Sequence, residues 1–145
     1  MKKILVVAIA LIAGFYSQAQ EFVYSEVIMM DPVLGTTSLK TSGRISIQDS
    51  SITETVEGIK GTWKPTSIQK EGSAMIYTYE SISYTRRLQL AAITEELKPL
   101  LETIKTGKKK DKSQFSEYSH VAIDVNKDKL TGSVTSMYTF LTIQK

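Results

Sequence analysis

Apolar and polar residues alternate in the middle of the chain, from Met75 to Ala91, where the sequence reads MIYTYESISYTRRLQLA. Alternation with a period of two is typical of a β-strand with one buried face. The apolar positions are even-numbered from Ile82 to Leu90, whereas Met75, Tyr77 and Tyr79 before Glu80 are odd-numbered. A straight strand would place these two halves on opposite faces of the sheet. The pattern therefore predicts a long central strand that either carries a bulge near Glu80 and Ser81 or lies in a sheet covered on both sides.

Shorter segments rich in aromatic and β-branched residues predict further strands. Residues 43–58 have the clearest hairpin pattern, with turn residues at positions 48–51. The segment 62–69, which contains Pro65, is expected to pair with the first part of the central strand. The other predicted strands are 22–30, 36–41 (a strand or a loop), 115–125 and 130–143. The last of these has apolar residues on both faces, which predicts a central or covered strand.

One segment, residues 94–107, has a helical pattern. Thr94 is a suitable N-cap, and two glutamates follow it in the first turn, where the helix dipole favours negative charge. Leucine and isoleucine then recur at helical spacing, although Pro99 lies past the first turn and should bend the helix. In an alternative interpretation the helix starts earlier, near Arg87, and the central strand is shorter.

Together these elements predict an α+β, mainly antiparallel β fold. We expect about six to eight strands in a strongly curved sheet or a partly closed barrel, with one short helix packed against it or capping an open end. This arrangement resembles small calycin-type barrels in its general architecture. The expected fold class is therefore a curved sheet or a partly closed, calycin-like barrel with one short helix.

The first twenty residues have the pattern of a signal peptide. Lys2 and Lys3 precede an apolar run at 4–15, and small and polar residues follow it up to Gln20. A retained membrane anchor is the alternative, but the run is shorter than the roughly 20 residues that a spanning helix needs. We therefore expect a single exported domain, residues 21–145, that is periplasmic or secreted and has no membrane span after cleavage.

The composition of this expected domain argues against several classes of protein. Removal of Lys2 and Lys3 leaves sixteen basic against fifteen acidic residues, a balance that gives no indication of a nucleic-acid partner. The basic run at 108–112 is short and has no interleaved aromatic residues, so we interpret it as a solvated loop rather than an anion-binding patch. The chain has no cysteine, which excludes thiol chemistry and disulfides.

No set of residues in the sequence indicates catalysis, and we expect the protein not to be an enzyme. His120 is the only histidine and lies in a strand pattern, and the chain lacks a serine-hydrolase elbow, a P-loop and a dinucleotide fingerprint. Neighbouring acids, such as Glu95 with Glu96 or Glu54 with Glu57, could be nominated for glycoside chemistry but are more typical of a solvated surface. No cofactor is expected.

A string of oxygen-bearing residues, Asp124, Asn126 and Asp128, begins like a calcium loop. The glycine and glutamate that complete an EF-hand loop are missing, and strands rather than helices are predicted on either side. We therefore interpret residues 126–129 as a β-turn and predict no metal site.

Four aromatic residues are the best candidates for a ligand-binding surface: Trp63, Tyr77, Tyr79 and Tyr84. Their flat apolar rings with polar tips suit glycans or small amphiphiles, although such residues also fill the cores of β proteins. Two hypotheses follow. The domain binds a small apolar or glycan ligand, or it is a structural or interaction module of the cell envelope that binds another protein. Tyr77 and Tyr79 should face the same interior as Ile82 and Tyr84 in a ligand carrier, and should face outward in an interaction module.

Overall fold

The computed structural model describes residues 19–31, 35–99 and 118–145, which form an antiparallel sheet of eleven strands. The strands are β1 Gln20–Tyr24, β2 Val27–Asp31, β3 Gly35–Leu39, β4 Gly43–Gln48, β5 Ser51–Val56, β6 Ile59–Trp63, β7 Ser67–Glu71, β8 Ala74–Glu80, β9 Tyr84–Ala92, β10 His120–Asp128 and β11 Val134–Gln144. Their order is β6-β5-β4-β1-β11-β10-β9-β8-β7, and β2 pairs with both β11 and β3. The number of strands exceeds the prediction because three predicted strands, 22–30, 62–69 and 75–91, are each divided in two.

The sheet is strongly curled into a half-barrel, which confirms the predicted curved-sheet fold class. Strands β5 and β9 are separated in the strand order by four others, yet Glu54 of β5 contacts Arg86 of β9. Ile52 and Leu88 of the same two strands also belong to one buried cluster. The curl therefore brings the two halves of the sheet face to face across an interior. We call these halves the limbs: β6-β5-β4-β1 on one side of β11 and β10-β9-β8-β7 on the other.

The longest strand, β11, joins the two limbs. One of its edges pairs with β10 over nearly its full length, and its other edge pairs with β2 near Phe140 and with β1 near Ile143. Strands β1 and β2 follow each other along this edge with a short break at Ser25 and Glu26. The prediction of a central or covered strand is confirmed, since Phe140 is buried inside the half-barrel and Leu141 is buried on its outer face.

Most of the core lies inside the half-barrel. The inner cluster consists of Phe22, Tyr24, Val27, Ile45, Ile47, Ile52, Tyr77, Leu88, Leu90, Ala122 and Phe140. A smaller outer cluster contains Ala74, Ala91, Val121 and Leu141, against which Ile93, Leu97 and Tyr118 pack. Burial of apolar side chains is the main favourable contribution to folding, so β8 to β11 are stabilised through both of their faces.

The predicted central strand is a hairpin, so both the single strand and the bulge near Glu80 and Ser81 were wrong. Strands β8 and β9 pair antiparallel with Tyr79 opposite Arg86, and the turn between them contains Ile82, which is 100% exposed. Because odd-numbered residues of β8 lie opposite even-numbered residues of β9, the change of phase puts both apolar sets on the same face. The alternative prediction, a sheet covered on both sides, is correct for the start of β8, because Ala74 is buried in the outer cluster on the face opposite to the inner cluster.

The hairpin predicted at 43–58 is confirmed as β4 and β5. Asp49 and Ser50 have φ values of 50° and 62° at its turn, and two positive φ values match the twist of a tight hairpin. The last hairpin differs from the prediction, because β10 continues through 126–128 and the turn lies at 129–133. The Oδ1 atom of Asp128 accepts hydrogen bonds from the backbone N–H groups of Leu130 and Thr131 at 2.8 and 2.9 Å, which holds this later turn in place.

Only the start of the predicted helix falls within the described residues. The carbonyl of Thr94 accepts hydrogen bonds from the N–H groups of Leu97 and Lys98 at 3.1 and 3.3 Å, so a helical turn begins there as predicted. The alternative start near Arg87 was wrong, because β9 continues to Ala92. Residues 100–107 of the predicted helix, residues 1–18 of the predicted signal peptide and the basic run at 108–112 lie outside the described residues.

Candidate functional site

Arg86 lies between two carboxylates inside the half-barrel. Its Nε atom is 3.2 Å from both carboxylate oxygens of Asp124, and its Nη2 atom is 2.5 Å from Asp124 Oδ2. The same Nη2 atom is 2.8 and 2.6 Å from the two oxygens of Glu54. Charge-assisted bonds of this kind fix the plane of a guanidinium group. The remaining nitrogen, Nη1, makes no hydrogen bond within the described part of the chain.

The strands explain how these three side chains meet. Arg86 and Asp124 lie on the inward faces of the neighbouring strands β9 and β10, and Glu54 reaches them from β5 on the opposite limb. The side chains of Arg86, Glu54 and Asp124 are 22%, 20% and 4% exposed. Arg86 and Glu54 can therefore be reached from solvent, whereas Asp124 is a buried anchor that positions Arg86.

Trp63 covers the guanidinium from the edge strand β6. The centre of the Trp63 ring is 4.5 Å from Arg86 Cζ, which is a cation–π geometry. The indole Nε1 atom is buried and makes no hydrogen bond of good geometry, although it lies near Glu54 and favours the ionised form of that carboxyl group. Trp63 thus packs its ring on the cation and favours the charged form of one of the anions.

Burial and the close pairing of opposite charges shift the pKa values of the site in opposite directions. Burial raises the pKa of Glu54. The charge and hydrogen bonds of Arg86 partly offset this rise, and the negative charge of Asp124 adds to it. Burial also opposes the protonation of Arg86, but the two carboxylates outweigh it and raise the pKa of Arg86 above its usual value. Nearby, burial and then the charge of Glu54 raise the pKa of Tyr24 to about 12. Arg86 is therefore a permanent cation.

The structure brings three of the four predicted aromatic residues to this site. Tyr79 is opposite Arg86 in the β8–β9 ladder, and its ring centre is 5.8 Å from that of Tyr84, which is 42% exposed. Tyr77 faces the same interior but is 4% exposed and belongs to the inner cluster. We call Glu54, Trp63, Tyr79, Tyr84, Arg86 and Asp124 the mouth cluster.

The ion-pair network was not predicted from the sequence, although Glu54 and Asp124 were each considered in other roles. Glu54 was considered as a partner of Glu57, which instead lies in the turn after β5 and is exposed. Asp124 was considered as a calcium ligand. The signal that could have revealed the network is the phase of Arg86, a charged residue at an inward position between Tyr84 and Leu88.

The other candidate residues have structural contacts. Asn126 Nδ2 donates a hydrogen bond to Ser136 Oγ at 3.0 Å, and Asp128 caps its turn. His120 Nδ1 lies 2.9 Å from Ser119 Oγ, its ring meets Phe22 edge-on at 5.1 Å, and burial lowers its pKa. Among residues 19–31, 35–99 and 118–145, no three His, Asp or Glu side chains come together in a way that could hold a metal ion.

A separate depression lies on the outer face of β4, β5 and β6. Its volume is about 510 Å³, and its lining is polar: Arg44, Ser46, Gln48, Asp49, Ser51, Thr53, Thr55 and Lys60. It is shallow, contains no aromatic residue and lies on the face of the sheet opposite to the mouth cluster, because its strand residues alternate with the inward Ile45, Ile52 and Glu54.

Comparisons with known proteins found no match to a protein-family model, to a curated protein or to a solved structure. In the part of the chain that the structure describes, no helix combines the length and hydropathy that a membrane span requires.

Proposed function

We propose that this chain is an exported, non-catalytic domain that binds a small ligand at the mouth cluster. One observation carries the proposal: accessible aromatic rings and a partly accessible guanidinium group lie together on the inner face of the curled sheet. Binding sites of small ligands are typically concave and combine aromatic walls with a few fixed polar groups. Tyr79 and Tyr84 supply rings at the mouth, and Arg86 supplies a fixed polar group.

Binding is proposed over catalysis because of how the carboxylates are held. A general acid or base needs a free face toward the reacting group, at hydrogen-bond distance. Glu54 and Asp124 both contact Arg86, and Asp124 is almost fully buried. This arrangement suits the orientation of a guanidinium better than proton transfer to a substrate.

Export is part of the same proposal and rests on the sequence. The basic and apolar pattern of the first twenty residues supports a cleaved signal peptide, after which the domain is periplasmic or secreted. The ligand is then expected among the small molecules of that compartment.

Native mass spectrometry of residues 21–145, purified without denaturation from the export compartment of the native host, tests this function. We expect an added mass that disappears on denaturation and is absent from a Tyr84→Ser variant purified in parallel. Tyr84 is exposed, so its replacement should leave the fold intact. A bare wild-type protein, or an equal added mass on the variant, would contradict the proposal.

A second candidate function, binding of an envelope protein, is favoured by the tips of two neighbouring hairpins. Ile82 and Leu130 are 100% and 92% exposed. The two tips are held together, because the N–H group of Lys129 donates to the carbonyl of Ser83 at 2.9 Å. Cross-linking in the envelope would support this function if an adduct forms with the wild-type protein and is lost in an Ile82→Lys, Leu130→Lys double variant.

A further inference from the structure

We propose that the ligand of the mouth cluster is a neutral, polyhydroxylated molecule of the glycan class rather than an anion or an aliphatic chain. This inference rests on the proposed function and specifies the ligand of the same site.

The charge of the site argues against an anionic ligand. Arg86 contributes one positive charge, and Glu54 and Asp124 contribute two carboxylates that already contact it. When both are ionised the site carries a net negative charge, and a further anion at Arg86 would be repelled. Lys129, a cation of the nearby β10–β11 turn, is paired with Glu80 at 3.5 Å and does not offset that charge.

The unused hydrogen-bonding groups favour hydroxyls. Among the described residues Arg86 Nη1 has no acceptor, and the oxygens of Glu54 can accept bonds in addition to those from Nη2. A hydroxyl group donates one hydrogen bond and accepts others, so one hydroxyl can accept from Nη1 while its neighbour donates to Glu54. Adjacent hydroxyls of a sugar have this complementarity, whereas an aliphatic chain would leave both groups unpaired.

The packing beneath the mouth also argues against an aliphatic chain. Such a ligand would need apolar space inside the half-barrel, but the inward positions next to the mouth cluster are filled by the buried side chains of Tyr77, Leu88 and Phe140. The ring pair of Tyr79 and Tyr84 is apolar surface that remains accessible at the mouth cluster. A flat aromatic face beside polar groups suits the C–H face of a sugar ring.

Two binding measurements on residues 21–145 test this inference. The first probes an array that displays neutral glycans beside glycans bearing uronate, sialate or sulfate groups. The second titrates the protein with N-phenyl-1-naphthylamine, a neutral apolar fluorophore. Both are repeated with Tyr84→Ser and with Ile82→Ser, a matched loss of an exposed apolar side chain outside the mouth cluster.

We expect binding to neutral glycans, no uptake of the fluorophore, a loss of about tenfold in affinity with Tyr84→Ser, and no change with Ile82→Ser. Preferential binding of acidic glycans, or fluorophore uptake that Tyr84→Ser abolishes, would overturn the ligand class and leave the binding function standing. If neither probe binds, the inference fails, and native mass spectrometry then decides separately whether the mouth cluster binds anything.

Discussion

At the scale of single residues, Arg86 determines the character of the site. Among the described residues it is the one cation that contacts both carboxylates, and Trp63 stacks on it. A buried ion pair adds little net stability when intact, but the loss of one member leaves an uncompensated charge. Arg86 is therefore a residue whose removal should affect stability and pH dependence together.

We predict that Arg86→Met lowers the free energy of unfolding at neutral pH by roughly 2–3 kcal/mol, because Glu54 and Asp124 lose their cation. Without Arg86, the pKa of Glu54, which burial already raises, rises further. A raised carboxyl pKa favours the folded state at low pH and disfavours it as pH rises, so the deficit should shrink toward pH 4. Urea denaturation at several pH values measures this deficit in the free energy of unfolding. Arg87→Met, on the exposed face of the same strand, is the control and should change stability little; an equal deficit in both variants would contradict the role of Arg86.

Two glycines on inward positions offer a matched pair. A Cβ atom on Gly43 would overlap the ring of Tyr24, which packs against Phe140, whereas a Cβ on Gly61 would meet no atom within 4 Å. We predict that Gly43→Ala costs about 1–3 kcal/mol through overpacking and that Gly61→Ala stays within about 0.5 kcal/mol of the wild type or is slightly stabilising. Thermal and urea denaturation measure both. Equal stabilities would show that Tyr24 does not lie over Gly43.

His120 should make the fold sensitive to mild acid. Burial lowers its pKa in the folded protein, so the unfolded chain binds the proton more readily as pH falls below about 6.5. As the pH is lowered from 7.5 to 5.5, the free energy of unfolding of the wild type should therefore fall relative to that of His120→Gln. A wild type that gains relative stability on acidification would contradict this assignment.

At the scale of elements, sequence pattern predicted strand content and the 43–58 hairpin, but it missed the turn between β8 and β9 and placed the turn between β10 and β11 too early. The phase change at Glu80 was interpreted as a bulge or as a sheet covered on both sides rather than as a turn, because an apolar residue, Ile82, occupies the turn and none of Gly, Pro, Asn or Asp marks it. In the structure Ser81 supplies the turn chemistry, since its Oγ accepts from the N–H groups of Ser83 and Tyr84 at 3.3 and 3.1 Å. A local hydrogen-bond pattern of this kind has no unique sequence signature.

The hairpin gives a prediction that one continuous strand would not. Ile82→Ser should change stability by less than about 0.5 kcal/mol, because Ile82 is fully exposed in the turn. Leu88→Ala should cost about 2–5 kcal/mol, since Leu88 is fully buried in the inner cluster. Urea denaturation compares the two. Similar losses from both changes would indicate that residues 75–91 form one continuous buried strand.

At the scale of the whole molecule, the curl of the sheet creates the site. Glu54 and Arg86 are far apart in sequence and in strand order, and they meet because the limbs face each other. The sequence supported a curved sheet and an aromatic surface, and three of the four named aromatic residues lie at the mouth. The phase of Arg86 could have indicated an inward charge, but the Glu54–Arg86 pair could not be predicted, because it depends on which strands of opposite limbs the curl brings together.

The ligand is expected at the mouth cluster, and the single tryptophan of the chain allows a direct measurement of its location. The small-molecule fraction of the export compartment is added to ¹⁵N-labelled residues 21–145, and the shifts of the indole N–H signal and the backbone amides are followed. We predict shifts at the Trp63 indole, Tyr84 and Arg86, none at Ser46 and Thr53 of the outer depression, and loss of the response in Tyr84→Ser. An unchanged spectrum, or shifts confined to the outer depression or the hairpin tips, would contradict a binding site at the mouth cluster.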